Sequence, residues 1–221
     1  MTYLISTLIF AVVGTAQLNI FEIEGIFSNA HINALEGHIE EYEYTDDDLL
    51  ILQYSSQEGS AESIEELNSL LSGYDFPIGI WFGPYKISID FKQLNNFDYI
   101  GFSPGLEINN VSFDESVEKK YCTINICNFE ERKIIVSTNE GIYDNYLIVG
   151  TLGSFIENID FVISDQSIEF FKPSLFERFY IAISNPIFTY MFFVLGFALI
   201  GLELFAIGPG LMAVVGSILV I

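Results

Sequence analysis

The stretch LLILQYSSQEGSAESIEELNSLLSGYDFPIGIWF, from Leu49 to Phe82, decides the fold. It opens on Leu49–Tyr54, a short, mostly apolar run of the kind found in a strand buried on both faces. Ser55 to Gly59 reads as a loop. Ser60 then stands at a helix N-cap, followed by Glu62, Glu65 and Glu66 in the first turns, where the positive end of the helix dipole favours carboxylates. That helix runs to about Leu71, Gly73 to Asp75 end it, and Pro77–Phe82 is the next strand. Strand, helix and strand at this spacing make a parallel β-α-β unit with a right-handed crossover.

The same grammar extends in both directions. Upstream, Leu18 to Phe27 (LNIFEIEGIF) alternates apolar and polar residues as a strand does. Ser28-Asn29 caps a helix over about Ala30 to Tyr42, and Asp46 to Asp48 make a turn. Downstream, Tyr99–Phe102, Lys133–Ser137 and Tyr146–Val149 read as strands and Leu152–Asn158 as a helical turn. Phe161–Val162 and Ile168–Phe170 suggest a terminal hairpin turning at Asp165-Gln166. No repeat or low-complexity linker interrupts the chain, so the fold class is α/β with one domain.

The two ends differ from this middle. Pro186 to Ile221 contains no Lys, Arg or Asp and one carboxylate, Glu203. Ile187 to Phe205 is about the length of apolar helix that crosses a bilayer core of about 30 Å, and no polar stripe breaks it. Gly196, Ala198 and Gly201 are small residues that would let a partner helix approach. After Gly208-Pro209-Gly210 the apolar sequence resumes from Leu211 to Ile221, too short for a second span. It reads as a re-entrant piece or as the start of a longer protein. Glu203 lies two turns before that break, where it could cap the next helix or snorkel to the interface. At the other end, Leu4–Val13 followed by Gly14, Thr15 and Ala16 resembles a secretory signal cleaved after Ala16. The competing reading is a buried first element of a cytosolic domain. Lys172 and Arg178 do not settle the orientation. The expected organisation is a signal peptide over 1–16, an extracytoplasmic α/β domain over 17–184 and a membrane segment over 185–221.

With 30 acidic against 8 basic residues, the formal net charge is −22. Such a domain repels phosphate backbones and anionic surfaces, which disfavours nucleic-acid binding. The acidic runs at Glu40, Glu41 and Glu43 and at Asp46 to Asp48 lack the spacing and glycine of a calcium loop and read as solvated surface. No cofactor or metal is expected. Cys122 and Cys127, spaced C-x4-C, lack the second ligand pair of a zinc site. They read as buried free thiols, with a small disulfide loop as the alternative in an exported domain. His31 and His38, seven apart on the first helix, read as exposed or half-buried.

The order of features resembles the NfeD family (nodulation-efficiency protein D), membrane-bound serine proteases with a Clp protease/crotonase-like domain. The tail carries the resemblance best: Asn185-Pro186, the helix with Gly196 and Gly201, Glu203-Leu204, Pro209-Gly210 and Gly216. Asn139 to Asp160 also looks like the family's stretch between catalytic domain and anchor. The resemblance implies a Ser nucleophile at a helix start, a Lys base and a Gly-Gly loop whose backbone N–H groups hold the oxyanion. This chain departs from all three. Where relatives read roughly Asp-Thr-Pro-Gly-Gly, it has Ser55-Ser56-Gln57-Glu58-Gly59, keeping Gly59 as a remnant and placing a carboxylate where negative charge would develop. Where relatives have small residues around the nucleophile, it has Gly83 to Phe91, with Ser88 flanked by Ile87 and Ile89. Lys119, Lys120 and Lys133 are the candidate bases, none in a matching motif. The resemblance with these departures implies a catalytically degenerate, membrane-tethered domain. It would act in binding, assembly or membrane-protein quality control with a stomatin-like partner, and self-association is a further expectation. The alternative is a working Ser-Lys protease built on Ser88; a third reading is an unrelated receptor-like domain.

Overall fold

A computed structural model describes residues 17–42, 44–59, 61–89, 91–144, 146–161, 168–171, 173–183, 186–205 and 211–220. The expected signal sequence, the hairpin turn at Asp165-Gln166, Asn185, Pro209 and Gly210 lie outside them. In chain order the elements begin with β1 (Leu18–Phe27), α1 (Asn29–Tyr42), β2 (Leu49–Gly59), α2 (Ala61–Leu71) and β3 (Ile78–Phe82). Then come β4 (Ile87–Ser88), a 3-10 turn (Phe91–Leu94), β5 (Tyr99–Phe102), β6 (Glu107–Asn109), α3 (Glu115–Tyr121), β7 (Ile126–Asn128) and β8 (Lys133–Ile135). The chain continues with β9 (Gly141–Tyr143), β10 (Tyr146–Ile148), α4 (Leu152–Asn158), β11 (Ile168–Phe171), α5 (Leu175–Ile183), α6 (Pro186–Phe205) and α7 (Leu211–Val220).

Among the described residues the strands form two sheets. The larger runs β11-β1-β2-β3-β5-β10-β9 and is parallel except for β9, which returns antiparallel on β10. Its apolar runs are buried on both faces, as the Leu49–Tyr54 stretch required. On β2, Leu50, Leu52 and Tyr54 join the core under α1 and α2, while Leu49 and Ile51 face the core under α4. β1 divides likewise: Phe21 and Ile23 on the first side, Leu18 and Ile20 on the second. Helix α4 packs on the sheet through Phe155, with Leu152, Ile156 and Ile159 beside it. The fully buried ring of Phe155 lies so close over β5 that a Cβ on Gly101 would stand 2.5 Å from it and 2.8 Å from Trp81.

The smaller sheet runs β4-β6-β8-β7. One face is in the core through Ile87, Ile108 and Ile134, packed with Phe91, Val117 and Tyr121, and the other meets solvent. Its strands are two or three residues long, and of the four only β8, within Lys133–Ser137, is among those expected from the sequence.

Several expectations change. Ser55 to Gly59 is not a loop: β2 continues through it, paired with Glu24 to Phe27 of β1. The terminal hairpin is not formed by the described residues, because Phe161 is in no strand and β11 pairs parallel with β1 at the sheet edge. Cys122 and Cys127 are joined in a disulfide with a Cα–Cα distance of 5.7 Å. A strand would have turned them apart, but Cys122 is the C-cap of α3 and the chain bends back before Cys127 enters β7. His31 is buried rather than exposed; His38 is half-buried.

No single helix among the described residues is long and apolar enough to cross a membrane. Leu175–Ile183 and Ile187–Glu203 meet that measure together as a pair bent by 74°. Helices α6 and α7 pack closely: a Cβ on Gly216 would stand 2.6 Å from the Gly196 carbonyl oxygen. Within this chain the close approach is at Gly196, while a Cβ on Gly201 would meet nothing within 4 Å.

Candidate functional site

The smaller sheet carries Ser88 and Lys133. Ile87 and Ile89 are buried, so alternation turns Ser88 to the solvent face of β4. The same rule puts Glu107 and Asn109 of β6 and Lys133 of β8 on that face, because Ile108 and Ile134 point into the core. Ser88 stands opposite Asn109 and Ile108 opposite Ile134, which places Lys133 on the row of Ser88 two strands away. At strand spacing the two backbones are roughly 10 Å apart.

Ser88 and Lys133 each contact a different partner. The Ser88 hydroxyl oxygen accepts a hydrogen bond from the Asn110 side-chain amide at 2.7 Å. Asn110 holds a left-handed backbone, φ 59°, at the end of β6. The Lys133 ammonium pairs with the Glu107 carboxylate, which also binds Lys86 at 2.6 Å. A serine nucleophile needs a base within about 2.6–3.2 Å. Here the Lys133 ammonium is paired with the Glu107 carboxylate, not with Ser88.

Lys119 and Lys120 sit elsewhere, on α3, whose first turn is capped by the Asp114 carboxylate accepting from the Val117 backbone N–H at 3.0 Å. They line an open groove with Ser116, Ile124, Ile142 and Asp144. The Lys120 ammonium lies 5.1 Å from the Tyr121 ring centre, and Lys119 is exposed. Helix α3 and Ser88 are on different elements, and the structure gives Ser88 no contact with either lysine. Of the membrane-motif residues, Pro186 opens α6 and Glu203 lies half-buried near its end.

The expected oxyanion loop is replaced by ladder. Gly59 ends β2 opposite Phe27, and the register slips between Gly25 and Ile26, so Gln57 is the extra residue of a bulge. Ser56, fully buried, stitches that bulge: its hydroxyl donates to the Gly25 carbonyl at 2.6 Å and accepts from the Phe27 N–H at 3.2 Å. Gly25 takes φ 75°, a left-handed conformation that suits glycine. The His31 Nε2 contacts the Glu24 carbonyl at 3.0 Å. Burial lowers the His31 imidazole below its ordinary value and pushes the Tyr54 phenol up to about 12. Sequence reasoning missed this knot of Gly25, Ser56 and His31 at the ends of the parallel strands. The usable signal was Gly25 inside a strand pattern, which marks a bulge.

No protein-family model matches the chain, and no curated protein matches it in sequence. Solved structures do match in fold. The 1510-N membrane-bound stomatin-specific protease, as a lysine-to-alanine variant with a substrate peptide, aligns at TM-score 0.54 and 8% identity, over 78% of this chain and 100% of that one. The 1510-N membrane protease specific for a stomatin homologue, from Pyrococcus horikoshii, aligns at TM-score 0.54 and 10% identity, over 77% and 100%. At such identities the likeness is one of fold.

Proposed function

We propose that this chain is a membrane-anchored, extracytoplasmic domain that uses the fold of a stomatin-specific membrane protease to bind a stomatin-like membrane protein without cleaving it. One observation carries the reading: Ser88 is engaged by Asn110 while Lys133 is held by Glu107. The continuous ladder from Ser55 to Gly59 adds to it, because a paired strand lacks the cluster of convergent N–H groups an oxyanion needs. The Cys122–Cys127 disulfide favours an oxidising compartment and hence an exported domain. The apolar α6 is the anchor in this reading, with Asn185-Pro186 at its start, Glu203 near its end and Pro209-Gly210 after it as the membrane motif. The stomatin-like partner is carried over from the two fold neighbours.

A fluorophosphonate probe on the full chain in detergent tests the absence of a nucleophile. No labelling is expected; labelling that disappears in Ser88→Ala would overturn the reading. The alternative, an active Ser-Lys protease, draws on the shared solvent face of Ser88 and Lys133 and predicts that positive result. Co-reconstitution with a stomatin-like protein should give a stable complex and no cleavage products.

A further inference from the structure

Helix α5 buries none of its residues fully, but its two sides differ in chemistry. The Ser174 hydroxyl accepts from the Glu177 N–H and the Glu177 carboxylate accepts from the Ser174 N–H, a reciprocal capping box that fixes where the helix starts. From that start, Glu177, Arg178, Ile181 and Ala182 fall on the side turned to the domain. Glu177 borders a groove with Asn29 and Asn33 of α1. Arg178, Ile181 and Ala182 border a cleft with His31 and Phe171. Leu175, Phe176 and Phe179 form the opposite side at i, i+1 and i+4 and are 83%, 79% and 61% exposed, with Tyr180 at the border. A soluble surface helix reverses this arrangement, placing its large apolar residues inward.

We propose that α5 lies in the plane of the membrane surface, with Leu175, Phe176 and Phe179 sunk into the boundary between headgroups and acyl chains of the bilayer that α6 enters. The inference rests on the reading of α6 as the anchor. Three features select a bilayer as the occupant of this face. Helix α5 is joined to α6 by two residues, so wherever α6 enters lipid, α5 is at the entry point. The two helices meet at 74°, so an α6 close to the membrane normal lays α5 almost flat. The exposed side is rich in aromatic rings and carries no charge, the chemistry of the interfacial zone. With a net charge of −22 the chain gains nothing from anionic lipid, so the contact is apolar and works on zwitterionic membranes.

The test is depth-dependent quenching of tryptophan in the full chain reconstituted into phosphatidylcholine vesicles with brominated acyl chains. Phe179→Trp and, as a second position, Phe176→Trp report on α5, and Phe193→Trp reports on α6. The native Trp81, buried in the domain, is the unquenched reference. The expected result is loss of the α5 signal to bromine near the headgroups and of the α6 signal to bromine near the bilayer centre. Quenching of the Phe193→Trp protein with both α5 variants silent would overturn the proposal while leaving the anchor intact, as when a second copy or another protein covers this face. Quenching of none of the three would overturn the anchor reading and this inference with it.

Discussion

The seven-stranded sheet and the four-stranded sheet are held together by different physics. In the larger, β1, β2 and β3 bury apolar side chains on both faces, and α4 is locked by an aromatic ring against a glycine. In the smaller, strands of two or three residues bury one face, and the other carries charges, amides and the exposed Ile126. What burial does for the first, a disulfide and a shared carboxylate do for the second: Cys122–Cys127 ties α3 to β7, and Glu107 gathers Lys86 and Lys133 from either side of β6. A region held by burial tolerates little change in volume, whereas one held by staples tolerates changes in shape and responds to reductant and salt.

That contrast can be broken from either side. The largest effect is expected from Phe155→Ala, which empties a fully buried site over the sheet and should cost about 3–5 kcal/mol by chemical denaturation. A loss under about 1 kcal/mol would show that α4 is not part of the cooperative core. Gly101→Ala should cost toward the upper end of about 1–3 kcal/mol, because its methyl group would overlap the Phe155 ring and neither backbone can easily retreat. Adding Phe155→Leu to it should recover part of the loss. Replacing Cys122 and Cys127 together by Ala should cost about 2 kcal/mol, the chain-entropy value for so short a closed loop. Hydrogen exchange should then rise in β7 and β8 and stay unchanged in β1 to β3. Glu107→Gln should cost about 1 kcal/mol or less and make the smaller sheet less sensitive to salt, since one of its lysines is 71% exposed. The smallest effect concerns His31. Its folded pKa is lowered, so below 6.5 the unfolded chain binds a proton that the buried ring refuses, and stability falls as pH falls through that window. Denaturation midpoints for His31→Gln should follow pH less steeply there than those of the wild type.

The same contrast explains what could be read from the sequence. β1, β5 and α4 appear with the bounds expected, because burial on one or both faces writes a period into the residues; the expected cap Ser60 lies outside the described residues. β4, β6, β7 and β9 have no more than three residues each and went unread, whereas β8 and β10, equally short, lie within the longer, mostly apolar runs Lys133–Ser137 and Tyr146–Val149. Ser55 to Gly59 is polar and was taken for a loop. It is strand because β1 supplies ladder bonds past the point where β3 stops, a tertiary effect that local composition does not encode. The candidate site was legible only as residue types. Ser88 and Lys133 share a face, yet their actual partners, Asn110 and Glu107, are set by register in the sheet that sequence could not reveal.

The disulfide also changes the connectivity of the molecule. Between Cys122 and Cys127 the chain is a closed ring. A protease that nicks any peptide bond inside the ring leaves a single covalent molecule, separable into two pieces only after reduction. The strands and helices before the nick then stay linked to α6 through sulfur, so damage at this exposed corner does not release the domain from its own C-terminal helices.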